Sequence, residues 1–161
     1  MRQDDPKKCT AAKLVHFRIA DAVRRVPRNS IVLNPFSRVP LCGGDKEIAA
    51  SVTAIDCSWE KAASALKHNY GIGRRLPLLL AGNPTNYGNL GKLSSAEALA
   101  AACAILGFDD LAAGIMNKFK WGHTFLELNG DLLREYANAK DADEIRRIEK
   151  EYWPDLQIST Q

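Results

Sequence analysis

The spacing of apolar positions divides the chain into two halves. Before residue 83 the apolar residues come in short, largely unalternating runs: 14–20 (LVHFRIA), 30–33 (SIVL), 52–55 (VTAI) and 76–81 (LPLLLA). Runs this short without strict polar alternation imply burial on both faces, the pattern of strands in a parallel sheet. Each predicts a strand. Between them, residues 58–68 (SWEKAASALKH) predict a helix with Ser58 as its N-cap. Strand–helix–strand order predicts an α/β layer.

After Asn83 the period changes. Residues 83–92 (NPTNYGNLGK) are rich in Pro, Gly and Asn, the composition of an ordered loop. Next comes SSAEALAAACAILG, where Ser94 and Glu97 have the spacing of a capping box and Gly107 supplies a C-terminal stop. Ala98, Ala101, Ala102 and Ile105 recur at helical spacing and predict a narrow, closely packed face. Further helices are predicted over 109–119, 125–138 and 142–152, with Pro154 as the last stop. The expected organisation is an α/β domain over 1–90 followed by a helical domain over 91–161.

Charge sharpens that division. Residues 1–92 hold 15 Lys and Arg against 7 Asp and Glu, a net +8, whereas 93–161 hold 7 against 12, a net −5. A basic half joined to an acidic half suggests that one face meets a polyanion, most simply a phosphate backbone. Lys7, Lys8, Arg24, Arg25, Arg28, Arg74 and Arg75 are the candidates, against the alternative that each is merely a solvated cation. Apolar residues make up 46% and charged residues 25%, the balance of a globular protein. No apolar run nears the roughly 20 residues of a membrane span. The opening MRQDDPKKCT has no apolar core, so neither a signal peptide nor a membrane partner is expected, and the cytoplasm is the expected location. Cys9, Cys42, Cys57 and Cys103 are isolated from one another and from the histidines, so no metal site is expected.

Two constellations carry chemistry. Asp56-Cys57-Ser58-Trp59 follows a predicted buried strand, where α/β sheets bind ligands. Asp56 is a candidate general base there, or else a helix cap. Trp59 can stack on a flat ligand or fill the core. Asn83-Pro84-Thr85-Asn86-Tyr87-Gly88 can wrap a cofactor with backbone donors and acceptors, or connect two lobes. It is not a Walker loop, and Gly71-Ile72-Gly73 is too short for a dinucleotide fingerprint. His16, His68 and His123 have no nucleophile beside them and read as structural.

Taken together, five stretches resemble the ribosome-biogenesis aminocarboxypropyltransferases that modify a uridine of small-subunit rRNA. They are Asp5-Pro6-Lys7-Lys8-Cys9-Thr10, Leu33-Asn34-Pro35-Phe36-Ser37, Ala54-Ile55-Asp56-Cys57-Ser58-Trp59, Ala81-Gly82-Asn83-Pro84-Thr85-Asn86-Tyr87-Gly88 and Lys92-Leu93-Ser94-Ser95-Ala96-Glu97-Ala98. They occur in the family's order, and the chain resembles a short archaeal member. It departs from the family at Leu41-Cys42-Gly43-Gly44-Asp45, where relatives more often read like LSPxD.

The resemblance implies a knotted, SPOUT-like, mostly parallel α/β sheet with a helical C-terminal lobe. It implies S-adenosylmethionine as cofactor and small-subunit rRNA, or a pre-ribosomal particle, as partner of a monomeric enzyme. The adenine would sit among Leu33, Pro35, Trp59, Leu79, Leu93 and Ala98, its edge read by backbone of Leu79 and of the loop near Gly91. Backbone of Ile55 would hold the ribose. Thr10 and the Ser95 amide would hold the methionine carboxylate, and Trp59 and Ala62 would bury the S-methyl group. The expected reaction moves the 3-amino-3-carboxypropyl group to N3 of a pseudouridine already methylated at N1, with Asp56 taking the proton. The competing expectations are a SPOUT-type rRNA methyltransferase and a non-catalytic assembly factor.

Overall fold

The computed structural model describes residues 9–55 and 71–156. The predicted helix 58–68 lies outside them. The first described element is a helix rather than the strand expected over 14–20: α1 spans Thr10–His16. Cys9 caps it, its sulfur accepting from the Ala12 amide at 3.4 Å, and the Ala11-Ala12-Lys13 run has high helix propensity. Only Leu14 of the apolar run is fully buried, while Val15 and Phe17 are exposed. An apolar run is therefore no strand here, because one helical face suffices to bury its single core residue. Arg18, at φ 57°, ends the helix in the left-handed region, and the Ile19 amide closes back on Leu14 O at 3.0 Å.

β1 (Ser30–Leu33) is the centre of a three-stranded sheet in the order β2-β1-β3. β2 is Ser51–Ala54, one residue earlier than expected, and β3 is Ile72–Arg74. Both neighbours run parallel to β1, with Leu33 opposite Ala54 on one side and Arg74 on the other. The strands' carboxyl ends therefore share one edge, occupied by Leu33, Ala54 and Arg74. A single 3₁₀ turn, Gly43–Glu47, precedes β2.

Residues 76–81 are not a regular strand. Only isolated bridges flank and touch them, Pro40 with Arg75 and Leu80 with Leu90. Leu79 and Ala81 are nonetheless fully buried. The backbone groups of Leu78 and Leu80 take partners from helix side chains, and the Leu79 carbonyl and both groups of Ala81 from the loop at 88–91, instead of from a sheet.

The helical half follows the sequence closely. α2 is Ser95–Ile105, capped by the predicted box, and Gly107 at φ 88° supplies its stop. It is apolar nearly all round, as a helix packed on several sides must be. α1, β2, α3 (Asp109–Met116) and α4 (Gly122–Asn138) all pack onto it. The alanines Ala96, Ala100, Ala101 and Ala102, each without exposed surface, let those neighbours approach closely. α3 stops at Met116 rather than 119, and α4 begins at Gly122 rather than 125. A Cβ at Gly122 would collide with the Met116 carbonyl, so only glycine fits that corner. α5 is Ala142–Tyr152 as expected, with the Asp141 carboxylate accepting from the Asp143 and Glu144 amides at 3.0 and 2.9 Å.

Candidate functional site

Burying an extended segment outside a sheet leaves its amides and carbonyls in need of partners, each unpaired group costing about 1–3 kcal/mol. Four buried side chains supply them along residues 78–83. The Glu149 carboxylate accepts from the Leu78 amide at 3.0 Å, and the Tyr136 hydroxyl donates to Leu78 O at 2.8 Å. Asn129 pairs with both backbone groups of Leu80, accepting from its amide and donating to its carbonyl, each at 2.8 Å. Glu97 accepts from the amides of Gly82 at 2.7 Å and Asn83 at 3.0 Å. Burial first, then the Glu149 charge, pushes the Tyr136 phenol well above its ordinary pKa, so it remains a neutral donor.

None of these four roles was read from the sequence. The readable signal was a polar residue on an apolar helical face: Asn129 shares its stripe with Phe125, Leu132 and Tyr136, and Glu149 follows Ile145 by one turn.

After Ala81 the chain folds back on itself. Gly88 N donates to Ala81 O at 2.8 Å, Ala81 N to Asn89 O at 3.0 Å, and Gly91 N to Leu79 O at 2.9 Å. Gly88 and Gly91, both at φ 75°, allow the reversal. The polar loop is thus tied to the buried segment, and Leu79 and Gly91 are brought together.

At the N-terminus of α2, Ser94 Oγ accepts from the Glu97 amide at 3.3 Å, while Glu97 accepts from the Ser94 amide at 2.7 Å. Thr10 Oγ1 accepts from the Ala96 amide at 3.1 Å, so the structure joins Thr10 to the helix end that carries Ser95. The Ala98 amide bonds Ser94 O at 2.9 Å. Ser95 N is left with no partner among the described residues, and so is Leu79 N. The resemblance assigns the Ser95 amide to the methionine carboxylate and the backbone of Leu79 to the adenine. The donor set therefore fits S-adenosylmethionine.

The apolar lining is consistent with that fit. Leu33 and Leu93 are half-buried and pack against the core that contains Leu79. Ala98 and Ile55 are half-buried as well, whereas Pro35 and Gly91 are exposed. Ile55 directly follows β2, at the same sheet edge as Leu33. Asp56, Trp59, Ala62, Lys7 and Lys8 lie outside the described residues.

The basic candidates separate into two kinds. Arg24, Arg25 and Arg28 are exposed. Arg74 and Arg75 are spent on carboxylates: Arg74 pairs with Asp45 at 3.1 Å, and Arg75 grips Glu149 through two bonds of 2.7 and 2.9 Å. Asp45 also accepts from the Cys42 amide at 3.1 Å, which gives the unusual LCGGD stretch a structural task. Burial, reinforced by Asp45, raises the Cys42 thiol. A broad groove lined by Val15, Ile19, Val32, Phe36, Thr53 and Phe108 runs past the sheet. Ile55 and Gly71, which flank residues 56–70, line it too, and no ligand is assigned to it. No group of three metal-ligating side chains occurs among the described residues, and no described helix is long and apolar enough to cross a membrane.

A family model described as ribosome biogenesis protein, C-terminal, matches residues 31–153. A 16S rRNA aminocarboxypropyltransferase of Methanococcoides burtonii is 44% identical over 157 residues, covering 94% of this chain and 90% of its own. One from Saccharolobus islandicus is 49% identical over 152 residues, covering 92% and 90%. The solved structure of the SAM-dependent rRNA:acp-transferase Tsr3 from Vulcanisaeta distributa matches with a TM-score of 0.78 at 40% identity, covering 92% of this chain and 84% of that one. This chain therefore belongs to the ribosome-biogenesis family that includes the archaeal 16S rRNA aminocarboxypropyltransferases.

Proposed function

We propose that this protein transfers the 3-amino-3-carboxypropyl group of S-adenosylmethionine to N3 of an N1-methylated pseudouridine in small-subunit rRNA during ribosome biogenesis. The observation that carries this reading is the match, over more than nine-tenths of the chain at 44–49% identity, to relatives named 16S rRNA aminocarboxypropyltransferases. Ser95 N and Leu79 N, which have no partner among the described residues, lie on the backbone that the resemblance assigns to the cofactor and support it further.

Bound S-adenosylmethionine supplies an activated γ-carbon, because its sulfonium is a good leaving group without help from a metal. The chain's own residues bind and align. The Ser95 amide and Thr10 hold the carboxylate at a helix N-terminus, which favours anions. Backbone of Leu79 and Gly91 reads the adenine between Leu33, Pro35, Leu93, Ala98 and Trp59, and backbone of Ile55 holds the ribose. Trp59 and Ala62 would bury the methyl group, leaving the γ-carbon to the nucleophile. Asp56 accepts the N3 proton. Alignment accounts for most of the acceleration. Lys7, Lys8, Arg24, Arg25 and Arg28 contact phosphates of an accessible rRNA loop. Arg74 and Arg75 act first on Asp45 and Glu149, and reach RNA only through the surface those pairs leave. In the same reading the sheet is knotted in the SPOUT manner, residues 1–90 and 91–161 form the basic and helical lobes, and the enzyme works as a cytoplasmic monomer.

The test uses S-adenosylmethionine labelled in its carboxyl carbon, small-subunit rRNA fragments, and mass spectrometry of the digested RNA. Label in one uridine with release of methylthioadenosine is the expected result. Label from methyl-labelled cofactor instead, with release of S-adenosylhomocysteine, would make the protein a SPOUT-type methyltransferase. RNA binding with no cofactor affinity would make it an assembly factor.

A further inference from the structure

Glu97 is fully buried, and its two oxygens accept four hydrogen bonds: Oε1 from Gly82 N at 2.7 Å and Asn83 N at 3.0 Å, Oε2 from Asn83 Nδ2 at 2.8 Å and Ser94 N at 2.7 Å. An ionised carboxylate offers about four lone-pair sites, so its capacity is filled. No Lys or Arg pairs with it among the described residues. A capping box needs only one of these four bonds, that to Ser94. The other three reach into a different stretch of chain, 14 and 15 residues away.

The two stretches are the two ends of the cofactor site proposed above, on which this inference rests. Gly82 and Asn83 follow directly on residues 79–81, where the backbone of Leu79 is assigned to the adenine. Ser94 precedes Ser95, whose amide is assigned to the methionine carboxylate. We infer that Glu97 is a positioning residue that sets the distance between the adenine half and the amino-acid half of the cofactor site. It does so without touching the cofactor, by clamping the Gly82–Asn83 backbone to the α2 N-terminus.

The clamp has a consequence that general stabilisation does not share. A ligand spanning two half-sites gains affinity only while their spacing matches its own length, and a ligand filling one half-site is indifferent to that spacing. S-adenosylmethionine spans both halves; methylthioadenosine lacks the amino acid and occupies one. Loss of the clamp should therefore weaken the first far more than the second.

Glu97→Gln is the direct test. It is nearly isosteric, yet the amide NH₂ must face two of the four donors whichever way it is turned. Calorimetric titration should show the Kd for S-adenosylmethionine rising about tenfold or more, the cost of roughly one charge-assisted hydrogen bond, with methylthioadenosine changing less than about threefold. Equal weakening of both ligands, or no weakening, would overturn the inference. Asp141→Ala removes the cap of the distant α5 and controls for lost stability; it should alter neither Kd. If E97Q does not fold, Asn83→Ala removes one of the four donors to Glu97, together with the bonds of that side chain to Lys92 O and from Asn86 N, and is judged by the same ratio. Thr10→Ala separates the two layers of the argument. If T10A leaves S-adenosylmethionine binding unchanged, the cofactor is misplaced and the inference falls with it. If T10A weakens binding but E97Q does not, only the role of Glu97 is overturned.

Discussion

Replacing Glu149 by leucine removes the carboxylate on which the start of the buried segment hangs. In the native chain that group has no exposed side-chain surface, grips Arg75 by bonds of 2.7 and 2.9 Å, and accepts the Leu78 amide at 3.0 Å. Deleting one member of a buried pair costs about 3–5 kcal/mol, because the survivor stays buried without a partner. Arg75 retains 17% of its side-chain exposure, so water can partly rehydrate it and the lower end, about 3 kcal/mol, applies. For a chain of this size each kcal/mol lowers Tm by roughly 2–4 °C, so E149L should melt about 6–12 °C below the parent. Urea unfolding followed by circular dichroism measures the loss directly. The double variant Arg75→Met with Glu149→Leu removes the stranded charge as well. It should recover about 2 kcal/mol and keep about 1 kcal/mol of loss from the unpaired Leu78 amide. A loss below about 1 kcal/mol in E149L, or a double variant no more stable than the single, would refute this account of the pair.

Gly82→Ala places a Cβ within 2.7 Å of the Phe125 backbone, so the loop must move away from α4; Tm and S-adenosylmethionine affinity should both fall, and a variant with parental values for both would show that the contact is not tight. Burial pushes the Cys103 thiol up to about 11 from 9.0. The unfolded thiol therefore ionises first, and stability that is complete below pH 9 should decline as pH rises toward 11. Cys103→Ala should flatten part of that decline, and native Cys103 should resist iodoacetamide at pH 8, as peptide mapping would show. Replacing Arg24, Arg25 and Arg28 together by alanine should weaken binding of an rRNA fragment and reduce the salt slope by up to about 3, with Tm unchanged; an unaltered slope would remove these side chains from the RNA surface.

Glu97 and Leu14 mark how far the sequence could be read. Glu97 was legible as half of a capping box, since Ser94 and Glu97 are one helical turn apart and the reciprocal bonds need nothing else. Its hold on Gly82 and Asn83 was not legible, because nothing in a three-residue spacing says which distant backbone lies against the other lone pairs. Leu14 sat in a run that suggested a strand, and the Cys9 cap with the preceding alanines outweighed that run. The five quoted stretches foretold the family.

Helices α2, α4 and α5 and strand β1 were determined by the sequence itself, because caps, stops and apolar period are interactions among near neighbours. Residues 76–81 show what only the tertiary structure decided. Their apolar character dictated burial and nothing more. Whether a buried backbone finds its hydrogen bonds in a neighbouring strand or in side chains depends on what packs beside it. Here Asn129 and Glu149 accept from the amides of Leu80 and Leu78 from 49 and 71 residues further along the chain, and Glu97 accepts from the amide of Gly82, just past the segment, from 15 residues along. Contacts across such separations are set by how α2, α4 and α5 assemble around the segment, and no local pattern encodes that assembly.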